Sequence, residues 1–473
     1  MTIKIANGAG FLGDNLDAPR LLVESARVDY LTLEYLAELT MSILARQRDK
    51  DPAMGYAGDF LDVLTSLLPA LKAQPQLKIV TNAGGVNPRA CAAAAGKILT
   101  AAGLGETIVG IVTGDDLLPR LTELQASGCR FENLDMRQPL TYLQEKVVSA
   151  NAYLGAQPIA KALAGEARIV ITGRVADASL TVGPAMHEFE RRWDDWNFLA
   201  GTSVAGHLIE CGAQVTGGLY RHWQNLDLAN IGYPIAEVND DGSCVITKPD
   251  GTGGAVNRHT VVEQLVYEIG DPAHYLTPDV DVDFTTVEVK ESGPDRVSVR
   301  GATGRLAPEN YKVSLAYQNG FTATGQLLIY GEDCLDKAHA CVEIISQRVQ
   351  RAGFKLEHLY SECLGAGDAL PEVGDQKSKV KRSESKSFDL GASTSGNRPH
   401  EVVLRVSVHD SRREAVERFA KEFAPLITSG PPGIAGYAAG RPQVRPVFAY
   451  WPTLVPKKFV QSSVSIKPAA QWN

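Results

Sequence analysis

The chain has 473 residues, about three times the usual length of one domain, so a single small stapled module is excluded and two or three domains are expected. Hydrophobic residues make up 44% and charged residues 22%, with a mean hydropathy of −0.10, which excludes wholesale disorder. A net charge of −8 is modest for this length and argues against bulk attraction to nucleic acid or an anionic membrane, so neither is expected as a partner.

The first residues, MTIKIANGAGFLGDN, carry one lysine and break on glycines before a long apolar run forms, so they do not read as a secretory signal. No stretch approaches the roughly 18 apolar residues of a membrane span. Seven cysteines, at 91, 129, 211, 244, 334, 341 and 363, are odd in number and include no CxxC pair. Neither a disulfide framework nor a structural zinc site is expected, and free thiols fit a reducing, cytoplasmic setting.

From residue 1 to about 280, short β-branched runs alternate with glycine loops and helical patterns, which predicts a mostly parallel sheet with flanking helices. The first strand ends in ANGAGFLGDN, placing Asn7, Asp14 and Asn15 in a glycine-rich loop. Glu34 follows on the strand-like DYLTLEYL. An acid at the end of a buried strand is costly unless paired or used, so Glu34 is a candidate general base, with a backbone amide or an arginine as its structural alternative.

The clearest unit is LKIVTNAGGVNPRACAAAAGKILTAAG. It predicts a strand over 77–80, a turn at NAGGVNP, a helix over 89–101 and a stop at Gly103. ETIVGIVTGDD supplies the next strand of a βαβ unit and ends in Asp115 and Asp116, candidates for a metal or a substrate hydroxyl, or, for Asp116, a helix cap. NAGGVNP lies where free backbone N–H groups and the helix dipole favour an anion. Gly84 and Gly85 would allow close approach, and Asn82 and Asn87 would add neutral donors. A plain connecting turn is the competing reading. The GxGxxG and GxxxxGK[ST] fingerprints are absent, so ordinary dinucleotide or P-loop binding is not supported.

ITGRVADASL repeats this geometry with Arg174, Asp177 and Ser179. Arg174 offers a planar fork for a carboxylate or phosphate, and Asp177 can orient it or act as a base. An Arg–Asp pair holding the loop explains the same residues. AGHLIECGAQVTGG brings His207, Glu210 and Cys211 onto one face of a predicted helix. That face suits a His–Glu acid/base pair, ligands to a divalent metal, or Cys211 as a nucleophile. A core histidine bonded to Glu210 is the alternative, HExxH is missing, and whether a metal binds is left open.

After about residue 283 the texture changes to alternating strands, TTVEVKE, DRVSVRG, NYKVSLAY and TGQLLIYG. The expected division is an α/β domain over 1–282 carrying a ligand cleft and an α+β domain over 283–473. In the latter, GQLLIYG, a helix through CLDKAHACVEIISQRVQRAG and EHLYSEC are followed by EVVLRVSVHD, a helix through REAVERFAKEFAPLI and VRPVFAYW. This order resembles a ferredoxin-like split βαβ. The polar stretch near 370–400 reads as a mobile loop and candidate lid. SGPPGIAG and GYAAGRP close the series, with Gly430 expected to end a helix. Many of the 44 glycines thus fall in loops after predicted strands or helices, which argues for a cleft at the carboxyl ends of a parallel sheet.

Taken together, GAGFLGDN, TNAGGVNP, TGRVADASL, AGHLIECGAQVTGG, LTPDVDVDFT and SGPPGIAG resemble the acyclic terpene utilisation protein AtuA family over nearly the whole chain. The resemblance implies a soluble protein linked to the breakdown of branched acids as CoA thioesters, alongside acyl-CoA carboxylases and dehydrogenases. It implies no particular reaction and no particular catalytic residue.

The expected function is an enzyme acting on a small-molecule carboxylate or acyl-CoA substrate, as a hydratase or carbon–carbon lyase. Arg174, Ser179, Asn82, Gly84, Gly85, Asn87, Asn7 and Asp14 would bind substrate. Glu34, Asp177, Cys211 or the His207–Glu210 pair would do chemistry. No cofactor is required, and a homo-oligomer is expected. The alternatives are a hydrolase on the same fold, or a non-catalytic subunit or partner-binding protein of an acyl-CoA carboxylase pathway.

Overall fold

The computed structural model describes residues 1–143, 145–366, 368, 399–436 and 440–472. The chain begins with β1 (Thr2–Asn7), α1 (Ala18–Ser25), β2 (Tyr30–Leu33), α2 (Glu38–Lys50), α3 (Asp59–Ala73), β3 (Lys78–Thr81), α4 (Pro88–Ala101) and β4 (Ile108–Thr113). It continues through α5 (Leu121–Ala126), β5 (Val147–Ala152), α6 (Gln157–Ala164), β6 (Ile169–Thr172), α7 (Ser179–Glu188) and α8 (Trp196–Glu210). Next come β7 (Ile235–Asn239), β8 (Cys244–Thr247), α9 (Arg258–Leu265), β9 (Tyr275–Leu276), β10 (Asp281–Asp283), β11 (Glu288–Gly293), β12 (Arg296–Arg300) and β13 (Thr303–Arg305). The long β14 (Asn310–Tyr330) leads to α10 (Cys334–Arg351), β15 (His358–Leu364), β16 (Glu401–Asp410), α11 (Arg413–Ala420), α12 (Leu426–Ser429) and β17 (Ile434–Gly436). The chain closes with β18 (Arg445–Pro456) and β19 (Ser463–Pro468).

Two compact units result, one of residues 1–317 with 450–473 and one of residues 318–449. The division therefore falls later than the expected cut at 282, and the C-terminal residues return to the first unit. The reason is strand pairing. β12 pairs with β8 and β11 with β12, while Gly304 of β13 sits so close to the Trp196 carbonyl at the start of α8 that no side chain fits.

The first unit holds a ten-stranded sheet in the order β11-β12-β8-β7-β1-β2-β3-β6-β4-β19. Its centre, β1-β2-β3-β6-β4, is parallel, and antiparallel pairs continue it on both sides. The central strands are apolar on both faces. Val80, Val112 and Val170 join one hydrophobic cluster, and Ile79, Ile111 and Ile171 the other, so each face is covered by helices. Complete burial of each such side chain stabilises the fold by about 1.5–3 kcal/mol. The predicted βαβ unit forms as β3–α4–β4, with Asn87 capping α4 and Gly103 in the left-handed region (φ +76°) just past its end.

In the second unit the sheet is antiparallel in the order β15-β16-β14-β17. Two expectations for the residues after 283 change. NYKVSLAY and TGQLLIYG form the single strand β14. The helix expected through REAVERFAKEFAPLI stops at Ala420 and resumes at Leu426, because Pro425 has no N–H for a continuing helix. Gly430 ends α12 as expected, its N–H bonded to the Leu426 carbonyl, with a negative φ of −97°. The polar loop expected near 370–400 lies outside the described residues through residue 398. Among the described residues no helix is long and apolar enough to cross a membrane.

Candidate functional site

Because the central strands are parallel, their carboxyl ends share one edge of the sheet. Asn7 ends β1, and Glu34, Asn82, Asp115 and Arg174 stand one or two residues past β2, β3, β4 and β6. None of the five is more than 4% exposed. Polar side chains this deep must find partners or titrate toward the neutral form.

Glu34 does both in part. Its Oε1 accepts the Leu36 N–H at 2.8 Å and the Asn82 side-chain amide, while Oε2 is buried with no hydrogen-bond partner. Burial raises its pKa to about 7. The charge of Arg174 and the Asn82 and Leu36 donors pull it down, and the Glu210 charge pushes it up. Asn82 is itself locked, since its oxygen accepts the Tyr35 N–H at 2.8 Å.

Each nitrogen of the Arg174 guanidinium has a protein partner. Its guanidinium donates to the Leu36 carbonyl, to the Val175 carbonyl at 2.8 Å and to Asp177, and it lies 4.3 Å from the centre of the Tyr153 ring. Asp177 is half-exposed. The Arg174 N–H and the Asn151 amide both donate to Asp115 Oδ2, at 2.9 and 2.8 Å. Burial nevertheless lifts Asp115 to about 6, against those two donors. The Tyr153 hydroxyl donates to Glu38 at 3.1 Å, and Lys312 pairs with the same carboxylate at 3.2 Å.

His207 is enclosed. Nδ1 lies 3.2 Å from Glu210 Oε1, Nε2 lies 3.0 Å from the Gln264 carbonyl, and the ring packs on Tyr275 and Phe284. Burial opposes its protonation, but the Glu210 carboxylate and backbone carbonyls outweigh burial and raise its pKa. Glu210 Oε2 is buried without a partner. Cys211 falls just past α8 rather than on its face, and burial followed by the Glu210 charge pushes the thiol up to about 12. Asn7 closes this corner by donating its amide to the last carbonyls of α8, Ile209 at 2.6 Å and Glu210 at 2.9 Å.

The glycine loop is tightly packed against protein. A Cβ on Gly84 would lie 2.5 Å from the Thr172 carbonyl oxygen, and Gly85 has φ +52° beside Leu44 and the Gly55 carbonyl. Asn87 caps α4 and donates to the Pro52 and Met54 carbonyls. Asp14 accepts from Gly10 N–H and the Tyr233 hydroxyl. Asp116 accepts the Leu118 N–H at 3.0 Å and pairs with Arg48 at 3.4 Å, but it is not a helix N-cap, since Leu117 holds that position in the short turn that follows. A cavity of about 200 Å³ remains here, lined by Gly85, Asn87, Arg89, Asp115 and Asp116 among others. Ser179 points elsewhere, its hydroxyl 3.4 Å from Asp279.

The structure thus places Asn7, Glu34, Asn82, Arg174 and Glu210 along one edge, with Asp115 beside Arg174. Sequence reasoning missed Asn151, Tyr153, Glu38 and Lys312. Asn151 and Tyr153 come from β5 and its end, which pairs with β14 rather than with the parallel strands, and no motif marks them. Among the described residues no group of three or more His, Cys, Asp or Glu side chains is placed to hold a metal ion.

No curated protein and no solved structure matches the chain. The family model described as acyclic terpene utilisation family protein AtuA matches residues 3–466, and the chain belongs to that family.

Proposed function

We propose that this chain is an enzyme of branched carboxylic acid or acyl-CoA catabolism, a hydratase or carbon–carbon lyase, in which Glu34 moves the proton. The observation that carries this reading is the Glu34 carboxyl itself, sealed at a strand end, with one oxygen free and a pKa near 7. Such a group donates and accepts protons with equal ease at neutral pH. Glu210, with its own free oxygen, bears a charge that Glu34 senses. His207 supports Glu210 rather than meeting substrate, and Arg174 acts on Glu34 through its charge. The substrate would enter the cavity lined by Arg89, Asn87, Asp115 and Asp116.

In a hydratase, proton removal from the carbon next to the thioester carbonyl leaves an enolate that expels the β-hydroxyl, which takes the proton and departs as water; in a carbon–carbon lyase, proton removal from the β-hydroxyl breaks the bond between the α and β carbons, and the thioester enolate so released takes the proton. We read the second unit as a ferredoxin-like split βαβ, supported by its β-α-β-β-α-β order and its β15-β16-β14-β17 sheet. We also read the protein as a cytoplasmic homo-oligomer.

The test is turnover by the purified protein on a panel of branched enoyl- and hydroxyacyl-CoA thioesters, with Glu34→Gln alongside. Turnover that Glu34→Gln abolishes is the expected result. A wild-type protein without turnover that co-purifies with an acyl-CoA carboxylase would overturn it in favour of a subunit role.

A further inference from the structure

A second cavity lies within the first unit, away from the strand-end carboxyls, where the start of α6 meets the segment before β10. It has a volume of about 230 Å³, and its walls include Trp193, Trp196, Tyr311, Asp279 and Lys457. Gln157, Pro158, Trp193 and Ser462 also line a larger groove of about 740 Å³, so the two adjoin.

Asp279 is built into position. Its Oδ2 accepts the Ala156 N–H at 2.9 Å and faces the Ser179 hydroxyl at 3.4 Å. A Cβ on Gly155 would lie 2.8 Å from its carboxyl carbon, so only glycine leaves it room. Lys457 donates to the Pro278 carbonyl at 2.7 Å and lies 5.4 Å from the centre of the Tyr311 ring. Burial raises the Asp279 acid and lowers the Lys457 ammonium, and each charge partly restores the other. Two segments singled out in the sequence, LTPDVDVDFT and TGRVADASL, supply Asp279 and Ser179, and the strand-end site uses neither residue.

The chemistry of the walls narrows the occupant. An anion meets Asp279 and a cation meets Lys457, each at a cost, while a wholly apolar group strips both of water. A neutral planar ring whose edge both donates and accepts satisfies the pair, with its face against the indoles. We propose that this cavity binds the amino-bearing base of an adenine-type nucleotide, its exocyclic N–H donating to Asp279 and a ring nitrogen accepting from Lys457. The remainder of the molecule leaves along the larger groove past Lys161 and Glu190. The glycine fingerprints missing from the sequence cradle phosphates, and a site that reads the base does not need them.

Calorimetric titration of the full-length protein with adenosine, AMP, coenzyme A and inosine tests this. Saturable adenosine binding is expected, weakened about tenfold in inosine, where a carbonyl replaces the amino group, and about tenfold by Lys457→Gln or Trp193→Leu. Tighter binding of coenzyme A than of AMP would assign the groove to the acyl carrier, and equal binding to a free nucleotide. Glu34→Gln should bind like the wild type, which separates this site from the proposed reaction. Asp279→Asn risks misfolding, so Lys457→Gln and Trp193→Leu carry the test once their melting curves match the wild type. Absence of saturable binding at millimolar ligand, or equal affinity for inosine or in both variants, would overturn the proposal.

Discussion

Asn82 donates its side-chain amide to Oε1 of Glu34 across the ends of adjacent strands, and its own side-chain oxygen holds the Tyr35 N–H at 2.8 Å. The parallel register of β2 and β3 creates this relationship, since it sets Leu33 opposite Thr81 and so brings the next residues of both strands to one edge. The bond leaves the second Glu34 oxygen free.

Replacing Glu34 with glutamine should lower turnover by about a hundredfold or more, because an amide cannot accept the proton. The variant should fold, since the neutral amide suits a site whose burial already favours the neutral acid. Steady-state kinetics with a circular dichroism melt checks both parts, and unchanged turnover would remove Glu34 from the chemistry.

The stability contributed by Glu34 and Asp115 should fall as pH rises from acid to neutral. Glu34 titrates near 7 in the folded protein against an ordinary 4.5, and Asp115 near 6 against 3.8. The folded state therefore binds these protons more tightly than the unfolded chain. Their stabilisation is complete below the ordinary values, fades as pH climbs to the raised ones and changes no further above them. Urea midpoints across that window should decline in the wild type and decline less in Glu34→Gln.

Asn82→Ala removes a donor that favours the charged Glu34 carboxylate. The acid limb of the turnover profile should move to higher pH, and stability should drop by roughly 1–3 kcal/mol because the buried Tyr35 N–H loses its acceptor. A profile that stays in place would show that Asn82 does not tune Glu34.

His207→Asn should cost roughly 1–3 kcal/mol, through the lost partner of Glu210 and the lost ring packing. The folded protein raises the His207 pKa above 6.5, so its contribution is complete below that value and is lost as pH rises through the folded pKa. The melting difference from wild type should therefore be larger at acid than at alkaline pH. Loss of turnover beyond any shift of its pH profile would instead give His207 a direct part in proton transfer.

Gly84→Ala should destabilise the protein by about 1–3 kcal/mol through overpacking against the Thr172 carbonyl. Because this contact is made by protein, substrate KM should change little in whatever fraction folds. A rise in KM without loss of stability would return Gly84 to the binding loop.

Local patterns sufficed for much of the architecture. The apolar run at 77–80 and those in ETIVGIVTGDD and ARIVITGRV predicted buried strands, and the alanine-rich run ending at Gly103 predicted α4, because burial on both faces, helix propensity and a glycine stop act over a few residues. The same logic singled out Glu34, an acid at a strand end. Whether Glu34 titrates near neutrality, whether His207 meets substrate or core, and whether Arg174 is free were not legible. Those outcomes depend on residues far away in sequence, such as Gln264 against His207 and Leu36 against Arg174. Sequence alone determined the central parallel strands at 77–80 and in ETIVGIVTGDD and the polar groups that follow them. Only the tertiary structure decided which of those groups keep an unpartnered atom, because desolvation and hydrogen bonding are set by neighbours that the folded chain brings together.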